Sequence, residues 1–208
     1  ADGSIVGGSG TWGSGTNWTD VDGTASQAST NQFAVFGGQG GTVTVAGNQG
    51  FTGLQFLDPG YSLVPGAGGS LTPVNGADGS LAPVRVNAGV TTQISTPLVG
   101  AGGIEKLDSG VLVLSGANTY SGGTTISGGT LVGNTASLQG NILNNARLLF
   151  AQSTDGRFNG VLSGTGDLVK QGAGVLLLTG NQPFSGTVGV EQGVLQVGDR
   201  QTPGTLGG

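Results

Sequence analysis

The 208-residue chain contains no histidine, no cysteine and no methionine, and only 8% of its residues are charged. Without histidine or cysteine there is no Ser-His-Asp or Cys-His nucleophilic machinery, no histidine-based zinc centre and no thiolate cluster. Serine-protease chemistry is excluded on that ground alone. The lack of cysteine also removes disulfides as a guide to compartment, and it suits a bacterial surface as well as cytosol. The six basic residues, Arg85, Lys106, Arg147, Arg157, Lys170 and Arg200, stand singly in a chain of net charge −5. With no basic patch, nucleic acid and anionic membrane are poor partners. No apolar run reaches the roughly 18 residues of a membrane span, and no basic-then-apolar leader occurs. Direct membrane insertion is therefore not expected, and the chain, mature or a fragment, should be soluble.

What is abundant is glycine, at 46 residues. Glycine loses the most backbone entropy on folding and is a poor helix former, so an α-helical domain is disfavoured. Glycine shows no every-third-residue period and proline numbers only 7, which argues against a collagen-type helix. The apolar residues are plentiful enough for a packed core. An all-β chain with many tight turns remains.

The stretch "DSGVLVLSGANTYSGGTTISGGTLV", residues 108–132, returns as "GAGVLLLTGNQPFSGTVGVEQGVLQV" at residues 172–197. At an offset of 64 the copies align without a gap from Leu98/Leu162 to Val132/Gln196. Identities include Leu98, Gly100, Gly102, Lys106, Gly110, Leu112, Leu114, Gly122, Gly129 and Leu131, with Ile104/Leu168, Tyr120/Phe184 and Ile126/Val190 as conservative matches. Glycines and apolar positions are kept while the polar positions between them vary, the mark of a repeated scaffold.

The apolar runs, such as "VLVL" at 111–114, "TTI" at 124–126 and "RLLF" at 147–150, are three or four residues long and bounded by Gly or Asn. Strands so short do not sustain an ordinary hairpin sheet, but stacked as solenoid rungs each pairs with its equivalent above and below. The expectation is an all-β, parallel β-helix (β-solenoid), a single elongated rod. The offset of 64 reads as three coils of about 21 residues, and ten coils rising about 4.8 Å each give a rod of about 45 to 50 Å. On that reading Lys106 and Lys170 share one face about 14 Å apart. Alternation along the strands assigns Leu112, Leu114, Ile126, Leu131, Leu176, Leu178, Val190 and Leu195 to the interior. Residues 1–97 are read as N-terminal coils with an aromatic-rich cap, and 98–208 as C-terminal coils holding repeats at 98–132 and 162–197.

The stretch at 108–132, its lead-in "LVGAGGIEKLDSG" with the echo "LSGTGDLVKQGAG", and the opening "GGSGTWGSGTNWTD" resemble the passenger-associated repeat segments of bacterial autotransporters. The resemblance implies a right-handed parallel β-helix of the pectin-lyase-like type, at the bacterial cell surface or secreted, concerned with adhesion or aggregation. It also implies a C-terminal translocator barrel in the full-length protein. The second copy departs from the pattern at Asn181-Gln182-Pro183-Phe184, where the first has Ala117-Asn118-Thr119-Tyr120, which puts a role for the Asn-Thr-Tyr triplet in question.

Carboxylates are the remaining route to chemistry: Asp2, Asp20, Asp22, Asp58, Asp78, Glu105, Asp108, Asp155, Asp167, Glu191 and Asp199. Asp167 beside Lys170, or Glu105 and Asp108 beside Lys106, would serve a polysaccharide-cleaving β-helix, but on the coil reading Asp108 and the position of Asp167 lie about five residues apart in register, so a pair at the roughly 5 to 9 Å of glycoside hydrolysis is not evident. Solvated turn charges are the favoured reading. No catalytic, cofactor-binding or metal residues are assigned. "DVDG" at 20–23 lacks the later ligands of a calcium loop and reads as a turn. Asn17-Trp18-Thr19 matches a glycosylation sequon, of little weight in a chain of bacterial type, and "DGR" at 155–157 reads as an exposed loop rather than a receptor motif. Trp12, Trp18, Phe33, Phe36, Phe51, Phe56 and Tyr61 crowd the first third, either as a cap over the first coil or as a sugar-stacking surface; the cap is favoured. Three functions follow: a surface rod working by self-association or a host-surface or matrix ligand, a module that helps the passenger fold and exit, and, least favoured, a polysaccharide-cleaving enzyme.

Overall fold

The computed structural model describes residues 7–13, 18–19, 26–27 and 32–207, and every regular element among them is a β-strand. Two long parallel sheets run the length of the molecule. The first contains Gln32–Phe36, Asn48–Phe56, Ala82–Val86, Ile104–Leu107, Thr124–Ile126, Ile142–Asn144 and Leu162–Ser163, stacked in that order, with Ser70–Pro73 paired to the early part of Asn48–Phe56. The second contains nine strands, from Gly10–Trp12 through Thr42–Val45, Ser62–Pro65, Thr91–Ile94, Val111–Leu114, Thr130–Gly133, Arg147–Ala151 and Asp167–Gln171 to Val188–Val190. A third side closes the coils through loops and, toward the C-terminal end, through Gly156–Phe158, Val175–Leu178 and Val194–Val197. The molecule is a parallel β-solenoid.

Parallel stacking turns like residues into columns. Leu112, Leu131, Leu148 and Leu168 are register partners in sequence, and all four are fully buried. Each contributes about 1.5 to 3 kcal/mol by leaving water. Glycine is what allows the corners to close. At Gly110 an added Cβ would lie 2.3 Å from the carbonyl oxygen of Asn87, on the coil beneath.

Three expectations need correction. Nine rungs, not ten, make the second sheet, which at about 4.8 Å each spans about 40 Å. Val190 and Leu195 point inward in register with buried Lys170 and Leu176, yet Val190 is 50% exposed and Leu195 only partly buried, because among the described residues they lie on the last rungs of their sheets. Most consequential, Lys106 and Lys170 do not share a face. Following the register from Lys106 through Ile126 and Asn144, the third rung up brings Gly164, six residues short of Lys170. Successive rungs are 17 residues apart at Thr130/Arg147 and 20 at Arg147/Asp167, shorter than the expected 21, so 64 residues make three coils and one side more. The first repeat lies on the first and second sheets, and the second copy lies on the second sheet and the third side.

The aromatic residues of the first third are mostly interior. Trp12, Phe36, Phe51, Phe56 and Tyr61 are buried, with Phe36 stacked on Phe56 at 4.7 Å and 9°. Phe33 is 42% exposed. Trp18 lies in a two-residue strand, Trp18–Thr19, paired antiparallel with Ser26–Gln27. Asp2, Asn17, Asp20 and the "DVDG" turn lie outside the described residues.

Candidate functional site

The repeat resolves into a corner, built the same way on two different edges of the solenoid. In Ile104–Leu107 the inward positions are Ile104 and Lys106, both fully buried. A lysine facing a core must find acceptors for three N–H donors or bear the cost of an unpaired buried charge. Lys106 Nζ donates to the carbonyls of Leu107 at 2.7 Å and Asp108 at 2.8 Å in its own turn, and to Gly128 at 3.1 Å on the next coil. Asp108 makes that turn at φ 62°, the single non-glycine positive φ among the described residues. In the second copy Lys170 is also fully buried and donates to the equivalent carbonyls of Gln171 at 2.9 Å, Gly172 at 2.7 Å and Gln192 at 3.1 Å. Gly129 and Gly193 make room for the ammonium, since a Cβ there would come within 2.8 Å and 2.9 Å of the respective Nζ. Burial pushes the Lys106 pKa down to about 8, partly opposed by the Asp108 carboxylate, and burial lowers Lys170 as well.

A second device ties coils through side-chain amides. Asn118, buried, accepts from the Leu98 N–H at 2.8 Å and donates to the Ser137 carbonyl at 2.6 Å, one coil on each side. Its counterpart Gln182 accepts from the Leu162 N–H, the same position of the second copy, at 2.5 Å. The Asn-Thr-Tyr triplet therefore has a structural role that survives replacement by Gln-Pro-Phe. Tyr120 shares a hydrogen bond with Thr124 Oγ1 at 2.6 Å, and the second copy replaces this pair with Phe184 and Val188, apolar at both positions.

Most carboxylates among the described residues have partners of their own. Glu105 accepts from Ser127 Oγ at 2.6 Å and Asp108 pairs with Arg85 at 3.0 Å. Asp58 accepts from Gly38 N–H and Asp155 from Val175 N–H. Asp78 and Asp199 are held below the usual carboxylate range, Asp78 by Ser80 and Asp199 by the N–H groups of Thr202 and Gln201. Asp167 stands three rungs above Val111 on the second sheet, about 14 Å, so it does not meet Asp108. The "DGR" run is internal stitching: Arg157 pairs with Asp199 at 3.0 Å and donates to Thr179 and Thr202. Among the described residues no group of three or more His, Cys, Asp or Glu is placed to hold a metal. Among the described residues the arrangement is a stack of coils fastened from inside, with its varied polar residues facing outward.

Sequence reasoning missed the inward lysines. The available signal was the identity of Lys106 and Lys170 in a chain with six basic residues.

The family described as Passenger-associated-transport-repeat matches at residues 104–132 and 168–197, the two corner units. A curated relative, the Adhesin BmaC autotransporter of Brucella suis biovar 1 (strain 1330), is 34% identical across 99% of this chain. The chain spans 7% of that relative's length. No solved structure matches.

Proposed function

We propose, from the premise that this chain is an autotransporter passenger segment built on passenger-associated transport repeats, that it is an adhesive and structural rod of the cell surface. The observation that carries this is the division of labour in the repeat: the kept residues stack coils, and the outward residues are left for contact. The relative's description as an adhesin supports it. The segment works at the bacterial outer surface, displayed or released, in a whole protein that carries a C-terminal translocator barrel. Its partners are a host-surface or matrix ligand, or like chains side by side. Weak contacts repeated along a long rod accumulate through avidity. Cells displaying the chain should aggregate or adhere to matrix-coated surfaces more than cells displaying an unrelated solenoid; equal behaviour would refute the reading. We read the chain as non-enzymatic, so uncharged and uronate polysaccharides incubated with it, with and without calcium, should keep their length.

A second reading is a folding module. Both lysine corners lie after residue 97, and a coil pair joined by an ammonium inside the stack is a natural nucleus. Residues 1–97 would then form coils with an aromatic interior that close the rod. Limited proteolysis should leave a resistant core within 98–208, and a core confined to residues before Leu98 would sink the idea.

A further inference from the structure

The two lysine corners also differ, and on the outside. In the first copy the outer rim carries Leu107, Asp108, Ser127 and Gly128, with Asp108 held by Arg85 and Ser127 donating to Glu105. The equivalent residues of the second copy are Gln171, Gly172, Glu191 and Gln192. The aspartate has become a glycine, and a groove of about 530 Å³ opens between the coils, lined by Ala151, Ser153, Gln171, Gly172, Glu191 and Gln192. Gln171 donates through its amide to Glu191, and the Arg147 guanidinium stands 3.9 Å from the same carboxylate.

We propose that this groove binds a neutral, hydroxyl-rich chain, a stretch of uncharged oligosaccharide. Three features select that class. Glu191 opposes an anion while Arg147 opposes a cation, so the two together favour a ligand without net charge. The amides of Gln171 and Gln192, the Ser153 hydroxyl and the Glu191 carboxylate set donors and acceptors side by side, which suits hydroxyls that both donate and accept. An apolar ligand would strip water from these groups and return no hydrogen bond. Ala151 and Gly172 in the lining carry little or no side chain, which leaves room for the face of a sugar ring. Gln171 and Glu191 stand on successive rungs about 4.8 Å apart, close to the length of one pyranose residue, with Ala151 on the rung below, which favours a glycan over a single small polyol. The inference deepens the adhesive reading and rests on it for its biological use, though not for its test.

The test uses the full chain and a panel of tetrasaccharides built from neutral hexose or N-acetylhexosamine units, with a uronate tetrasaccharide as the charged control. Binding is followed through backbone amide shifts in NMR. The double variant Gln171→Leu/Glu191→Ser installs what the first copy carries at the same corner, Leu107 and Ser127, and is checked by an unchanged thermal midpoint. A neutral tetrasaccharide should shift amides at residues 151–153, 171–172 and 191–192, and the variant should weaken it by at least about tenfold, the scale of one or two lost hydrogen bonds. Preference for the uronate, shifts elsewhere on the rod, affinity unchanged in the variant, or no shift from any member of the panel would overturn the proposal. Adherence of displaying cells separates the two readings: cells that adhere while the groove fails these tests leave the rod an adhesin by another surface. Cells that do not adhere while the groove binds refute the adhesive reading alone.

Discussion

The first and second copies of the repeat make the same corner on different edges of one solenoid. Lys106 joins the first and second sheets, while Lys170 joins the second sheet and the third side, and the equivalent carbonyls accept from both. What recurs in the sequence is therefore a way of turning the chain and fastening the next coil, indifferent to the face on which it falls. The copies part company in their surroundings. The first is enclosed by coils above and below, whereas the second lies against the last rung, where Val190 and Val194 are about half exposed, at 50% and 51%. Equivalent substitutions in the two copies should thus hurt unequally, and the difference measures how much of each corner's strength comes from neighbouring coils.

The sharpest contrast is expected at the glycines facing the lysines. Gly129 adopts φ +66°, and a Cβ there would sit 2.3 Å from the Gly110 carbonyl oxygen. Gly129→Val should cost about 4 kcal/mol or more, through backbone strain and a clash that no rotamer relieves. Gly193 has nearly the same geometry, φ +74° with 2.3 Å to the Gly172 carbonyl oxygen, but its coil can lift from the open end. Gly193→Val should cost no more than about 2 kcal/mol. Denaturant unfolding of the two variants checks this, and equal losses would mean the last coil is held as firmly as an inner one.

Lysine removal comes next. Lys106→Met keeps the stem's packing and leaves three carbonyls without their donor, for an expected loss of about 3 kcal/mol. Lys170→Met should lose less, although Lys170 has a fourth carbonyl within reach, Gln152 at 3.4 Å, because water reaches its corner from the open end as the last coil frays. Hydrogen exchange resolves the difference locally: opening in the first case should extend to Gly128–Thr130, and in the second should stay within the final coil.

Much of this was legible in the residues and some was not, for physical reasons. Short Val, Leu and Thr runs between glycines define rungs, and alternation identified Leu112, Leu114, Ile126 and Leu131 as interior, because strand periodicity leaves each side chain two options and one is wet. The lateral shift of the second copy was hidden because a gapless alignment counts residues, whereas coils differ in length at their loops, 17 residues in one and 20 in another. The buried lysines were hidden because desolvation argues against them until the three carbonyls are seen converging. Gln182 was hidden by chemistry read too literally, since it holds the Leu162 N–H as Asn118 holds that of Leu98.

The aromatic pair offers a smaller and reversible test. Tyr120→Phe strands Thr124 Oγ1 in the core and should cost about 1 to 2 kcal/mol. Adding Thr124→Val installs the pair that the second copy uses, Phe184 with Val188, and should recover part of the loss, because the Thr124 hydroxyl is no longer stranded. The Gln139 backbone group that also bonds Tyr120 still loses its partner; the second copy has Pro203 there. A double-mutant cycle by thermal melts reads the coupling directly. A double variant no better than Tyr120→Phe would show that the two copies are not interchangeable at this position.

The smallest expected effect is in pH. Lys106 has a folded pKa of about 8 against an ordinary 10.5. Below pH 8 both folded and unfolded chains hold the proton, and the penalty of burying the charge is constant. Between about 8 and 10.5 the unfolded chain still holds a proton that the folded chain has released, so stability rises with pH across that window. The gain is bounded, because a neutral amine has two N–H donors for three carbonyls. Tyr120 sets the upper limit: burial raises its pKa above the ordinary 10, so the folded chain keeps that proton longer and stability turns down at higher pH. From pH 7 to 10 the thermal midpoint should climb by about 2 to 4 °C, the equivalent of about 1 kcal/mol for a chain of this size. Lys106→Met should flatten most of that climb, and Lys170→Met should leave most of it in place, since among the described residues the corner of Lys170 has only the last rung packed against it. A wild-type midpoint that falls steadily from pH 7 to 10 would mean that the three carbonyls hold the ammonium more tightly than burial loosens it.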